Sequence, residues 1–235
     1  MARKQKTESN STSGGISAWF AERGNNDDVV ISTRARLVRN LADFPFSLKM
    51  TADDRERVQA LAYDAFSGEE GWHFIDMSQV SLPGKQILID KNIINDDCTA
   101  VVINYGDEST SCLVNESDHI KIAAFISGLD CEKVMEKVYK VDEFLQKKLQ
   151  FAANIDFGYL TSYIKDCGTG LKFSARLFIP SIVLSGQFDS VVSMVREKKL
   201  SIKPVLKSGQ IADFSNCLFD ITTTSSAEGT GLDQM

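Results

Sequence analysis

The sequence predicts an α+β fold, an antiparallel sheet carrying helices, and three observations predict it. Hydrophobic periodicity switches repeatedly between about 2 and about 3.6 residues along the chain. Short strand-like runs flank turn-rich peptides, as TAVVIN and STSCLV do around YGDE. Long amphipathic segments lie between such runs, the clearest at residues 132–149. Short paired strands mixed with long helices pack as an α+β domain. With 235 residues, 43% of them apolar, the chain can bury a sizeable core.

Each element has a local cause. Residues 1–15 and 223–235 are polar, small and turn-rich, so they are expected to be disordered tails around a domain at 16–222. A short helix is expected over 16–22. VVISTRARLVR, from Val29, reads as a strand, with Arg34 and Arg36 on one side and Thr33 and Ala35 on the other. Thr51 with Asp54 three residues on resembles a capping box, Asp replacing the usual Glu, and would open a helix through Phe66. The segment 132–149 sets Val134, Val138, Val141, Leu145 and Leu149 on one face. KFSARLFIP alternates as a strand, and Pro180 precedes a helical run through Val183, Val191 and Val195. The chain contains no internal repeat.

Composition excludes several functions. A formal charge of -6 argues against a general nucleic-acid coat, which needs a basic face to displace counterions. The five cysteines are odd in number and lack CxxC spacing, as free thiols in a reducing cytosol would be, and metal–thiolate chemistry is not expected. No apolar run approaches the ~18 residues of a membrane span, and the N-terminal stretch has no apolar targeting core. A soluble, cytoplasmic protein is the expectation.

The chemistry concentrates in two basic clusters. Arg34 and Arg36 repel each other unless an anion sits between them, and their planar forks suit phosphate oxygens. Taken alone, the pair also fits a solvated strand face. After the turn at Gly168 and Gly170, a strand would put Lys172, Ser174 and Arg176 on one side. Together the clusters describe a basic pocket inside an acidic protein, which favours a polyphosphate.

Four ordered stretches, ISTRARLVRN, VNESDHIKI, GYLTS and CGTGLKFSARLFIP, resemble the catalytic domain of ATP:guanido phosphotransferases, the family of arginine and creatine kinases. The likeness is closer to bacterial protein-arginine kinases, since there is no room before Ser32 for the helical domain that precedes this core in phosphagen kinases. The resemblance implies a curved antiparallel sheet with flanking helices, an ATP site with Mg²⁺, and transfer of the γ-phosphoryl group to a guanidinium nitrogen. Arg34 and Arg36 match the family's first arginine pair. Lys121, Lys172 and Lys203 fall where it usually has three more phosphate-binding arginines. Ser32, Thr33, Ser174 and Arg176 complete the expected nucleotide-binding set, Arg176 as a candidate to restore a fork beside Lys172. The implied partners are a nucleotide and arginine or phosphoarginine side chains, or a true arginine kinase.

The pattern fails at the acids. A guanidinium has a pKa above ~12 and attacks poorly until carboxylates orient it and take a proton. Ser117 stands where the family has the second Glu of an NEEDH-like run. The matching loop for the second acid, KPVLKSGQIADF, contains no Glu, and Asp213 is its nearest substitute. Tyr163 replaces the cysteine that follows GYLTS, and Cys167 reads as a buried small residue. Glu116 and Asp118 are the other acid candidates, but as strand neighbours they would face away from Ser117. His119 beside Asp118 reads as a hydrogen-bonded histidine rather than a metal ligand, and His73 as structural. The expectation is a catalytically degenerate domain that works by binding. The alternatives are an active kinase with relocated acids and a structural domain without a nucleotide.

Overall fold

The computed structural model describes residues 22–90, 94, 98–104, 109–205 and 217–226. Its framework is an eight-stranded antiparallel sheet. In chain order the strands are β1 (Val30–Arg39), β2 (Trp72–Asp76), β3 (Ala100–Asn104), β4 (Thr110–Val114), β5 (Ile120–Ser127), β8 (Leu171–Phe178), β9 (Leu200–Pro204) and β10 (Leu218–Thr223); β6 (Ala153–Asn154) and β7 (Gly158–Tyr159) form a separate small hairpin. Their spatial order is β2-β3-β4-β5-β1-β8-β10-β9, so β1 lies inside the sheet between β5 and β8. Arg36 stands opposite Ala123 on β5 and Lys172 on β8.

Period-two alternation gives the sheet two faces of opposite chemistry. One carries Ala35, Leu37, Ile122, Ala124, Leu171 and Phe173 into the core. Two helices cover it, α1 (Ala52–Phe66) through Val58, Ala62, Ala65 and Phe66, and α3 (Cys131–Gln146) through Val134, Val138, Val141 and Leu145. Burying each large apolar side chain contributes roughly 1.5–3 kcal/mol. The other face carries the arginines.

The helix signals act through backbone groups. Thr51 Oγ1 accepts from Asp54 N at 3.2 Å and Asp54 Oδ2 accepts from Thr51 N at 2.9 Å, so the shorter acid closes the expected box. Asp130 caps α3 by accepting from Lys133 N at 2.9 Å. That helix ends at Gln146, and Leu149 is buried beyond its end. A further helix, α2, spans Leu82–Asp90. The run expected after Pro180 is two helices, α4 (Pro180–Leu184) and α5 (Phe188–Glu197). Gly186 between them has φ +72°, which breaks the helical ladder.

The packed chain continues past the expected boundary at 222. Thr223 and Ser226 are buried, and Ser226 donates from N to Lys165 O at 3.0 Å and from Oγ to Asp166 O at 2.7 Å. Hydroxyl groups that satisfy backbone carbonyls hold a polar segment which composition alone reads as a tail. The tail at 1–15, residues 16–21 of the expected first helix, the YGDE turn at 105–108, residues 227–235 and Asp213 lie outside the described residues. No helix among the described residues is long and apolar enough to cross a membrane.

Candidate functional site

The polar face of β1, β8, β9 and β10 forms the floor of a cavity of about 670 Å³. Arg34 and Arg36 project from β1, with Ser174 and Lys172 as their cross-strand partners on β8. Lys203 on edge strand β9 and Lys121 on β5 complete the basic lining. The Arg34 guanidinium lies 4.9 Å from the centre of the Phe125 ring, and the Nε atoms of both arginines are buried without a hydrogen-bond partner among the described residues. Burial, then the charge of Arg36, pulls the Arg34 pKa down to about 9; burial also lowers that of Arg36. A buried cation short of hydrogen bonds is a standing demand for an anion.

The acidic wall comes from the loop 115–119, where the structure departs from the strand-based expectation. Asn115 has φ +56° and its N–H donates to His119 O at 2.9 Å, so the chain turns tightly instead of extending. As a result Glu116, Ser117 and Asp118 all line the cavity, correcting the expectation that both acids face away. Neither acid is idle. Glu116 Oε2 accepts from Lys121 Nζ at 2.5 Å and from Ser117 Oγ at 3.2 Å. Asp118 Oδ1 accepts from Asn40 Nδ2 and from Ser162 N, each at 2.7 Å, while Ser117 Oγ reaches its Oδ2 at 3.5 Å. Asn40 also accepts from His119 N at 2.9 Å and donates to Leu160 O at 3.1 Å, which ties β1 to this loop and to the GYLTS segment. His119 Nδ1 accepts from Leu41 N at 2.9 Å, so Nε2 carries the proton toward Pro45 O, also 2.9 Å away. Burial lowers the His119 pKa, in keeping with a neutral ring that holds the loop.

Three expected nucleotide ligands sit elsewhere. Thr33 is buried on the opposite face and donates to Gly128 O at 2.6 Å, as alternation requires. Ser32 is buried and outside the lining. Arg176 is also outside it, because its fork is spent on Asp220, with Nε and Nη2 donating at 2.9 and 3.0 Å. That pairing raises the Arg176 pKa and removes it as a replacement fork for Lys172. Lys172 instead forms an ion pair with Asp166. Burial, only partly offset by Glu116, lowers the Lys121 pKa. Sequence reasoning missed Asp166, Asp220 and Asn40. Only the register that sets Asp220 opposite Arg176, and contacts 78 residues apart for Asn40, give them meaning.

Residues 55–226 match the family described as ATP:guanido phosphotransferase, C-terminal catalytic domain. The chain belongs to this family. Among curated relatives, the protein-arginine kinase of Geobacillus stearothermophilus is 29% identical over 207 residues, 84% of this chain and 57% of the relative. That of Pelotomaculum thermopropionicum is 30% identical over 204 residues, 82% of this chain and 57% of the relative. The chain therefore spans somewhat over half the length of these relatives. In fold, it is similar to the duplicated taurocyamine kinase of Schistosoma mansoni with bound transition state analog components (TM-score 0.75, 22% identity, 88% of this chain and 31% of that one). It is also similar to lombricine kinase (TM-score 0.72, 16% identity, 88% and 62%).

Within this guanido phosphotransferase domain, the departures read from the sequence cluster at one place. Ser117, Tyr163, Lys121, Lys172 and Lys203 all line the same cavity. Cys167 is half-buried rather than buried, 3.5 Å from Thr161 Oγ1.

Proposed function

We propose that the domain binds the phosphate chain of a nucleotide and transfers little or no phosphoryl group, acting as a degenerate relative of protein-arginine kinases. The observation that carries this is Ser117. Its hydroxyl reaches into the wall of the cavity between Glu116 Oε2 and Asp118 Oδ2, 3.2 and 3.5 Å away, with a single hydrogen to donate to one or the other, so a neutral donor occupies the acid's position. A hydroxyl can neither hold a guanidinium nor accept its proton at neutral pH, and loss of one general base costs about 10²–10⁴ in rate. The floor keeps its attraction for anions through Arg34 and Arg36. Lysine at 121, 172 and 203 retains charge while giving up the paired hydrogen bonds that keep a transferring phosphoryl group in line.

Glu116 and Asp118 are already engaged by Lys121, Asn40 and Ser162, so Mg²⁺ would enter on the phosphate oxygens of the nucleotide itself. Bound there, the ion would neutralise phosphate charge. A partner bearing arginine or phosphoarginine would meet the nucleotide at the 115–119 loop.

Incubation with Mg²⁺-ATP and an arginine-rich acceptor, following acid-labile phosphoarginine, tests transfer, and calorimetric titration with ATP tests binding. Heat without turnover is expected. No heat would favour a structural domain. A second reading, an active kinase, is favoured by the turn that brings Glu116 and Asp118 into the lining; turnover abolished by Glu116→Gln or Asp118→Asn would establish it.

A further inference from the structure

The cations of the cavity are not equally available. Arg34 and Arg36 offer buried Nε atoms without partners among the described residues, whereas Lys172, opposite Arg36 across the β1–β8 ladder, is already paired with Asp166. Both members of that pair line the cavity, with side chains only 15% and 16% exposed. Asp166 ends a one-turn 3-10 helix, Ile164–Asp166, and the segment following β10 fastens that turn in place. Ser226 N and Ser225 Oγ donate to Lys165 O at 3.0 and 2.9 Å, Ser226 Oγ donates to Asp166 O at 2.7 Å, and Thr169 Oγ1 donates back to Ser226 O at 3.3 Å. The acid is thus held against the lysine by a clip at the end of the sheet.

We propose that Asp166 is a resident counterion of the phosphate site, seated where a phosphoryl group would meet Lys172, and that it limits the length of phosphate chain the cavity accepts. The proposal rests on the nucleotide-binding reading and deepens it by assigning a specificity-determining residue. An ammonium is a compact charge with no planar fork to share between two oxyanions. An arriving phosphoryl group must either displace Asp166, leaving a carboxylate beside a polyanion, or do without Lys172. A longer phosphate chain carries more negative charge past that carboxylate than a shorter one does. The cost therefore falls hardest on the longest chain, and the cavity prefers a nucleoside diphosphate to a triphosphate.

The test is calorimetric titration of the wild-type chain, Asp166→Asn, Lys172→Met and the double variant with metal-free ADP, ATP and inorganic tripolyphosphate. Wild type is expected to bind ADP more tightly than ATP. Asp166→Asn should raise affinity for ATP and tripolyphosphate about tenfold, and for ADP less. Asp166→Ser, which also removes the charge, should behave alike. Lys172→Met should cost more in the Asp166→Asn background than in wild type, because the pair is coupled. Unchanged or weaker ATP and tripolyphosphate binding in both Asp166 variants, or simple additivity with Lys172→Met, would overturn the proposal. If nucleotides give no heat with any variant while tripolyphosphate binding rises in Asp166→Asn, the counterion role stands and the nucleotide reading falls. If tripolyphosphate gives no heat either, both fall.

Discussion

Arg34 holds its charge where water cannot fully solvate it, and its pKa near 9 records the cost. A cation whose pKa falls on folding destabilises the native state for as long as it stays protonated. The cost is complete below pH about 9 and is relieved only as pH climbs from there toward the unfolded value. Replacing it with a neutral side chain of similar shape, Arg34→Met, is expected to raise the melting temperature of the empty protein. The same change should abolish the further rise that ATP gives wild type, and both are read in one thermal-unfolding series. ATP affinity should decline above pH about 9, where the free site must take up a proton before it binds. Calorimetry on either side of that pH checks the sign; affinity that rises above pH 9 contradicts it. The arginine pair was legible in the sequence because alternation alone puts Arg34 and Arg36 on one side of a strand. The partners of the acids were not: the turn at Asn115 depends on Arg55 O and Thr99 Oγ1, which accept from its Nδ2 at 2.8 and 3.0 Å, and neither neighbours it in the chain.

Elements are joined by groups that carry more than packing. Arg39 at the end of β1 is buried and donates from Nε and Nη2 to the two oxygens of Asp142 on α3, at 2.9 and 2.8 Å. It also donates to Val38 O and Thr169 O, and its guanidinium lies 3.6 Å from the Tyr159 ring centre. Asp142→Asn leaves that buried cation uncompensated and is expected to cost about 3–5 kcal/mol in urea unfolding. The paired change Arg39→Met with Asp142→Leu should recover most of the loss. Phe173→Ala, emptying the contact between the sheet and its helices, should cost about 3–5 kcal/mol by the same measurement. The stripe that builds α3 and the alternation that builds β1 and β8 were readable because periodicity is a local signal. The break at Gly186 was not, since the apolar spacing runs on through it. Neither was the Arg39–Asp142 link, which joins residues 103 apart.

At the scale of the molecule, a chain with net charge -6 gathers Arg34, Arg36, Lys121, Lys165, Lys172 and Lys203 around one concave cavity. The expected outcome is retention on immobilised ATP that weakens with added salt, together with passage through a DNA column at ~0.15 M salt, because a recessed basic cavity cannot displace counterions along a duplex. Retention on DNA would mean that the cavity opens more widely than described. The sheet order could not be read from the sequence: β1 pairs with segments beginning at 120 and 171, and no local pattern announces such partners. That topology also has a temporal consequence. Because the floor of the cavity needs β8 seated beside β1, it comes into being only after one of the longest loop closures in the fold. A ligand has nothing to grip before then, so saturating ATP should leave the refolding rate of this domain unchanged and act entirely by slowing its unfolding.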